Sequence, residues 1–248
     1  GEAIATPGGA GLYTALAAAR AGAEVTMLAP VPDPMPPELA PALGVLRWIG
    51  PTVGLDDLPR FEIAYDAAGS VTLFREHLGA EPDMTPDLLD LVVDLPACAY
   101  CVPFMDARLQ RRFVDALRQR GCLTVASTYG KAARADTELV GSTMALADLS
   151  FCNADEEQIL FADSGSSPSS GKLRFVTRGA QGVTVHQGGH HTEVAGLPTA
   201  LLDTTGAGDT FSGSLCARLA AGDDLPTALR FASAAGALCT TKAGAVPS

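Results

Sequence analysis

Between residues 97 and 161 the chain alternates apolar β-type runs with helix-forming stretches, and this alternation restricts the fold more than any other feature. Residues 97–102, 122–126 and 148–152 read as buried strands, and residues 106–120, 136–147 and 154–161 read as helices. Strand, helix and strand in succession imply a parallel sheet with helices on its faces. The same reading extends outward. Residues 11–21 are rich in helix formers and stop at Gly22, residues 24–29 form a strand, and residues 45–49 make a short apolar run. The proline-rich stretch 30–37 should exclude regular structure. Residues 61–65 and 70–74 alternate apolar and polar side chains across the turn-like stretch 66–69, which predicts a half-exposed hairpin. After the Ser/Gly-rich loop 164–171, strands are expected at 173–177, 182–186 and 190–194, then helices at 209–221 and 225–242. The fold class expected is α/β, a doubly wound, mostly parallel sheet flanked by helices, with a small β lid.

Composition sets the partners. With 47% hydrophobic residues in 248, the chain can bury a substantial core. Its 28 acidic against 17 basic residues, a formal charge of -11, oppose a sequence-independent grip on nucleic acid or on anionic membranes. A small anion would need backbone N–H groups, a metal ion or a few placed cations. No apolar run is long enough to span a bilayer. The six cysteines are scattered, and Cys98 and Cys101 read as buried thiols in a strand, which suits a reducing cytoplasm. His77, His186, His190 and His191 form no persuasive ligand set.

Asp203-Thr-Thr-Gly-Ala-Gly-Asp-Thr-Phe211 is where chemistry is expected. Small residues at 206–208 leave successive N–H groups free to face one anion at the start of a helix. Phe211, Leu215 and Leu219 give that helix an apolar stripe. A carboxylate at Asp209, at the mouth of an anion site, has two readings. It is a helix cap favoured by the dipole, or a general base that takes the proton of an attacking hydroxyl during phosphoryl transfer.

This stretch resembles the signature of ribokinase-like carbohydrate kinases, the phosphofructokinase-B type. The resemblance implies Asp209 as catalytic base, Gly206, Ala207 and Gly208 as the anion hole, and Asp203 as the residue that shapes the loop and, in some members, an adjacent monovalent-cation (K+) site. Four further stretches fall in the family's order. Gly8-Gly-Ala-Gly-Leu-Tyr-Thr, through Gly22, is similar to the glycine-pair motif beside the sugar, and implies Gly8, Gly9 and Tyr13 at the substrate together with Asp209. Asn153-Ala-Asp-Glu156 resembles the Asn-x-x-Glu motif, whose Asn153 and Glu156 would organise Mg2+ and phosphates largely through water. Thr177-Arg-Gly-Ala-Gln-Gly182 matches the nucleotide-side turn, with Thr177, Gly179 and Gly182 toward ATP. Ala232-Ser-Ala-Ala-Gly236, followed by Lys242-Ala-Gly-Ala245, resembles the adenine-pocket helix and implies Ser233 and Gly236. Taken residue by residue, these motifs also read as a turn, a helix cap and a strand connection.

The resemblance implies one kinase domain over 1–248, a lid from about 1–7 and 61–75, and ATP-dependent phosphorylation of a sugar-like hydroxyl compound. A homodimer through the lid is the expected assembly. Tyr13 and Ser233 stand where many members carry Asn, and Ser127-Thr128 replaces an Asp-rich segment, so a nucleoside, cyclitol or uncommon sugar is open as substrate. Lys131 and Arg134 read as solvated flanking charges or as an anion clamp. A sensor that binds sugar or nucleotide without catalysis is the alternative. A dinucleotide-dependent dehydrogenase fits less well, because Gly206-Ala-Gly208 lies late in the chain and lacks the acidic residue expected about twenty positions on. In the resembling family a strand ending in Asp precedes the glycine pair, whereas here Gly8 follows only seven residues, so that strand is expected to be missing. A branched side chain at Gly206 is expected to abolish activity with modest loss of stability.

Overall fold

The computed structural model describes residues 6–65, 71–94, 96, 98–162, 167–242 and 244–245. The chain enters through α1 (Ala10–Arg20) and lays down short elements: β1 (Thr26–Leu28), β2 (Val31–Pro32), α2 (Ala40–Leu43), β3 (Arg47–Ile49) and β4 (Thr52–Val53). β1 pairs with β3 and β2 with β4, both in parallel. The proline-rich stretch is therefore not wholly irregular. Val31 N–H still reaches the Pro51 carbonyl at 2.9 Å, and Pro32, which lacks an N–H, sits in an outlying two-stranded ribbon where that loss is tolerated. β5 (Arg60–Tyr65) and β6 (Val71–His77) form the expected antiparallel hairpin as a separate two-stranded sheet. Its turn, 66–69, and residues 1–5 of the expected lid lie outside the described residues.

The main body follows as β7 (Cys98–Cys101), α3 (Ala107–Gln119), β8 (Leu123–Ser127), α4 (Gly130–Ala135), α5 (Thr137–Leu146), β9 (Leu149–Asn153) and α6 (Ala154–Phe161). It closes with β10 (Leu173–Thr177), β11 (Val183–Gln187), β12 (His190–Val194), α7 (Ala207–Ala220) and α8 (Leu225–Cys239). One six-stranded sheet has the order β12-β11-β10-β9-β8-β7. Its β7 to β10 run parallel, and β11 and β12 turn back antiparallel through Gly188 and Gly189.

Period-two alternation splits the core. Val125 and Ala126, neighbours on β8 and both fully buried, point to opposite faces. Ala126 joins Phe113, Val114, Val140 and Met144 under α3 and α5, whereas Val125 joins Phe151, Phe175, Phe211 and Leu215 under α7 and α8. A third cluster, with Leu12, Tyr13, Leu16 and Met27, seats α1 against the N-terminal ribbons.

Caps set the helix starts. Asp106, Asp136 and Asp224 each accept an N–H from the first turn of α3, α5 and α8. Asp136 also terminates α4, a helix the sequence reading passed over because Gly130 to Ala135 supplies fewer than two turns of periodicity. α8 stops at Cys239, short of the expected 242, with Thr240 turning its hydroxyl back to the Ala237 carbonyl.

This wiring brings the ends of the parallel strands together along one edge. Cys101, Ser127, Asn153 and Thr177 end four adjacent parallel strands, and Thr177 lies directly across from Asn153. In open α/β sheets the crevice outside the carboxyl ends is where ligands bind. Gln110, buried in α3, holds that edge by donating to the Ser127 carbonyl at 2.7 Å and the Cys101 carbonyl at 3.4 Å.

Candidate active site

The loop before α7 is shaped by its own side chain. Asp203 Oδ1 accepts the Thr205 N–H at 2.9 Å, and the N–H groups of Leu202 and Asp203 both donate to the Thr240 carbonyl. Gly206 then takes φ 75°, a left-handed turn that glycine adopts without strain. The first helical bond is Thr210 N–H to the Gly206 carbonyl at 2.8 Å. Residues 207–209 therefore occupy the turn whose N–H groups have no i−4 carbonyl within the helix. Ala207 N–H reaches the Thr204 carbonyl at 3.2 Å, a long bond, and the space beside Gly208 is open.

Asp209 stands on this first turn, half-buried. Loss of hydration pushes its carboxyl up from 3.8 to about 6. The cap of α7 is Gly206, and no side chain closes it, so the capping reading of Asp209 gains no bond. Behind Asp209, Tyr100 of β7 donates to Ser212 Oγ at 2.9 Å, and Ser212 donates to the Asp209 carbonyl at 3.1 Å. Burial holds the phenol well above its ordinary value, so it stays a proton donor.

Asn153 and Glu156 form a reciprocal capping box at the start of α6. Glu156 N–H donates to Asn153 Oδ1, and the backbone and side-chain N–H groups of Asn153 donate to the two Glu156 oxygens, all at 2.9 Å. The Glu156 carboxyl is raised to about 7, chiefly by burial and also by the nearby charges of Asp209 and Asp155, against the lowering effect of its bonds from Asn153. The charge of Asp209 disfavours ionisation of Glu156, and a cation bound near them through water would relieve that cost. Among the described residues no group of three or more His, Cys, Asp or Glu forms a protein-only metal cage.

The N-terminal glycine motif meets the α7 loop through Tyr13. A Cβ on Gly206 would overlap the Cδ1, Cε1 and Cγ atoms of the Tyr13 ring, and one on Gly8 would lie 3.7 Å from Tyr13 Cε2. The ring is 5% exposed. This changes the expectation for a branched residue at Gly206, whose effect on stability cannot be modest where a ring already fills the space. Gly9, at φ 90°, precedes α1, and a Cβ on Gly213 would strike the Thr14 carbonyl, so α1 and α7 cross with backbone close to backbone. Gly236 performs the same service for α8. It is buried, and a Cβ there would lie 3.2 Å from the Ala207 carbonyl. Ser233 is half-buried one turn earlier on α8.

Thr177 ends β10, and Gly179, at φ 55°, faces open space. Gly182, at φ 103°, lies under the Val194 carbonyl, which leaves no room for a Cβ. Lys131 pairs with Glu76 of β6 and so ties α4 to the hairpin. His186 contacts Glu157 at 2.9 Å, and His190 and His191 are exposed. Tyr100, Ser212 and Gln110 were missed in the sequence. Gln110 alone left a trace there, a polar residue at a stripe position beside Leu109 and Phe113.

A family model described as pfkB family carbohydrate kinase matches residues 111–248. Ribokinase from Bacillus subtilis (strain 168) is 39% identical over 97 residues, 38% of this chain and 33% of that enzyme. Alignments with curated relatives such as this span between 21% and 33% of the relatives' own length. The crystal structure of adenosine kinase from Sinorhizobium meliloti superposes with a TM-score of 0.82 at 19% identity, over 100% of this chain and 81% of that one. An E. coli protein assigned as a ribokinase II, in complex with ATP and Mg2+, gives 0.77 at 19% identity, over 98% and 85%. At these identities the superpositions establish a ribokinase-like α/β fold.

Proposed function

Because the chain belongs to the pfkB family of carbohydrate kinases, we propose that it transfers the γ-phosphoryl group of ATP to a hydroxyl of a sugar or sugar-like small molecule. Nucleosides and cyclitols belong to that acceptor class. The observation that carries the reading is the placement of Asp209. A carboxylate raised by burial to about 6 stands on the first turn of α7, where N–H groups lack partners within the helix, and its charge acts on Glu156 in the first turn of α6.

In this reading ionised Asp209 takes the proton of the acceptor hydroxyl as its oxygen attacks the γ-phosphorus. The bond from phosphorus to the ADP oxygen breaks, and ADP leaves with the electron pair. N–H groups of residues 206–208 stabilise charge on the transferring group. Asn153 and Glu156 would hold, through water, an Mg2+ ion, which would neutralise charge on the phosphates of the nucleotide. Thr177, Gly179, Gly182, Ser233 and Gly236 form or shape the nucleotide side, and Gly8, Gly9 and Tyr13 the acceptor side. Asp203 keeps the loop in form, and a K+ ion beside it is tested by exchanging K+ for Na+ in the assay. A cytoplasmic setting belongs to the same proposal, and the free thiols at Cys98, Cys101, Cys122, Cys152, Cys216 and Cys239, which suit a reducing compartment, support it.

The test is ADP release from ATP and Mg2+ over a panel of sugars, nucleosides and cyclitols. Acceptor-dependent ADP release supports the kinase. Nucleotide binding with no release against any acceptor turns the assignment to a sensor.

A further inference from the structure

Two motifs that approach the nucleotide from different elements are joined by one side chain to which neither motif assigns a role. Arg178 follows Thr177 at the end of β10. Its backbone N–H donates to the Gly182 carbonyl at 2.8 Å and its carbonyl accepts from Gln181, so it closes the turn that carries Gly179. Its guanidinium leaves the turn in the other direction. Nη2 meets Glu157 Oε2 at 2.9 Å and Nε donates to Thr184 Oγ1 at 2.7 Å. Glu157 is the residue after Glu156, on the first turn of α6, and its second oxygen lies 2.9 Å from His186 Nε2. Arg178 and Glu157 have side-chain exposures of 32% and 20%, so the pair is shielded from solvent more than a surface ion pair. Thr184 and His186 both lie on β11, which gives the pair a rigid backing.

We propose that Arg178 is a positioning residue for nucleotide binding: gripped by Glu157 and Thr184, it fixes the distance between the Thr177–Gly182 turn and the Asn153–Glu156 capping box. The guanidinium suits the task because its planar fork serves two acceptors at once, which a lysine ammonium does in no fixed geometry. Glu157 acts from the other side of the same contact. Neither side chain is required to touch the ligand. Each sets where residues that do so stand, and a shift of that kind between two anchoring elements weakens a site that depends on both. The inference rests on the kinase reading above.

The test measures binding of a non-hydrolysable ATP analogue with Mg2+ by calorimetry to the wild type, Arg178→Gln, Glu157→Gln and the double variant. Acceptor KM and thermal melting are recorded beside it. Each single variant should weaken the analogue about tenfold. The double variant should be no weaker than the worse single one, because both remove one contact. The KM of the acceptor should stay within about twofold, and Arg178→Lys, which keeps the charge but not the fork, should fall between wild type and Arg178→Gln. Unchanged analogue affinity in Glu157→Gln, or losses that multiply in the double variant, overturns the inference, as does an equal loss for nucleotide and acceptor. Should Arg178→Gln fail to fold, Glu157→Gln, which keeps the shape of its side chain, decides alone. A wild-type protein that fails to bind the analogue removes the kinase reading itself, a result distinct from variants that bind as well as a competent wild type.

Discussion

Adding one methyl group at Gly206 tests how the loop before α7 is held. Alanine at φ 75° meets the penalty for a left-handed backbone, about 1–2 kcal/mol. Its Cβ would also enter the Tyr13 ring at under 3.0 Å, a separation that real Cβ atoms do not show. Overpacking of a buried site costs about 1–3 kcal/mol. Together they give a loss of roughly 2–5 kcal/mol, which for a domain of this size lowers the melting temperature by roughly 4–20 °C. The assay is urea unfolding of wild type, Gly206→Ala, Tyr13→Ala and the double variant, with the slope checked for constancy. Tyr13→Ala is costly by itself, yet it opens the space the new methyl group needs. In its background Gly206→Ala should cost only the backbone term, about 1–2 kcal/mol. An equal cost in both backgrounds would show that the ring is not the obstacle. A cost under about 1 kcal/mol in the wild type would show that the loop relaxes and refute both steps.

Asp209→Asn should lower turnover about a hundredfold or more while ATP-analogue binding persists, and near-normal turnover rejects the base. The same substitution has a stability readout. The folded pKa of Asp209, about 6, exceeds its ordinary 3.8, so the folded state binds more protons than the unfolded one in that interval and stability falls as pH rises through it. Asp209→Asn should therefore melt above wild type at neutral pH and converge with it below about pH 4, and parallel melting curves across the range would contradict the raised pKa. Acceptor kcat/KM should decline as pH falls through about 6, where the free enzyme's base becomes protonated, and a flat profile down to about pH 5 excludes Asp209 from that role. Tyr100→Phe should cost about 1 kcal/mol by removing the bond to Ser212 and should reduce kcat more than the KM for ATP; an unaltered kcat would limit Tyr100 to packing.

Strand and helix alternation, the glycine-rich approach to α7 and the Asn153-to-Glu156 spacing were all legible in the residues, because each depends on local periodicity, backbone freedom or a bond spanning three positions. The parallel sheet followed from the alternation, since short connections leave few ways to cover buried strands. Asp209 could be singled out, but its two readings could not be separated. Only the folded chain, which takes Asp209 out of water on the first turn of α7, gives that carboxyl its raised pKa. The ring of Tyr13 on Gly206, the reach of Tyr100 to Ser212 across 112 positions and the grip of Arg178 on Glu157 left no pattern in the sequence. Such contacts join elements whose separation along the chain is unrelated to their distance in space, and tertiary packing alone decides which side chains meet there.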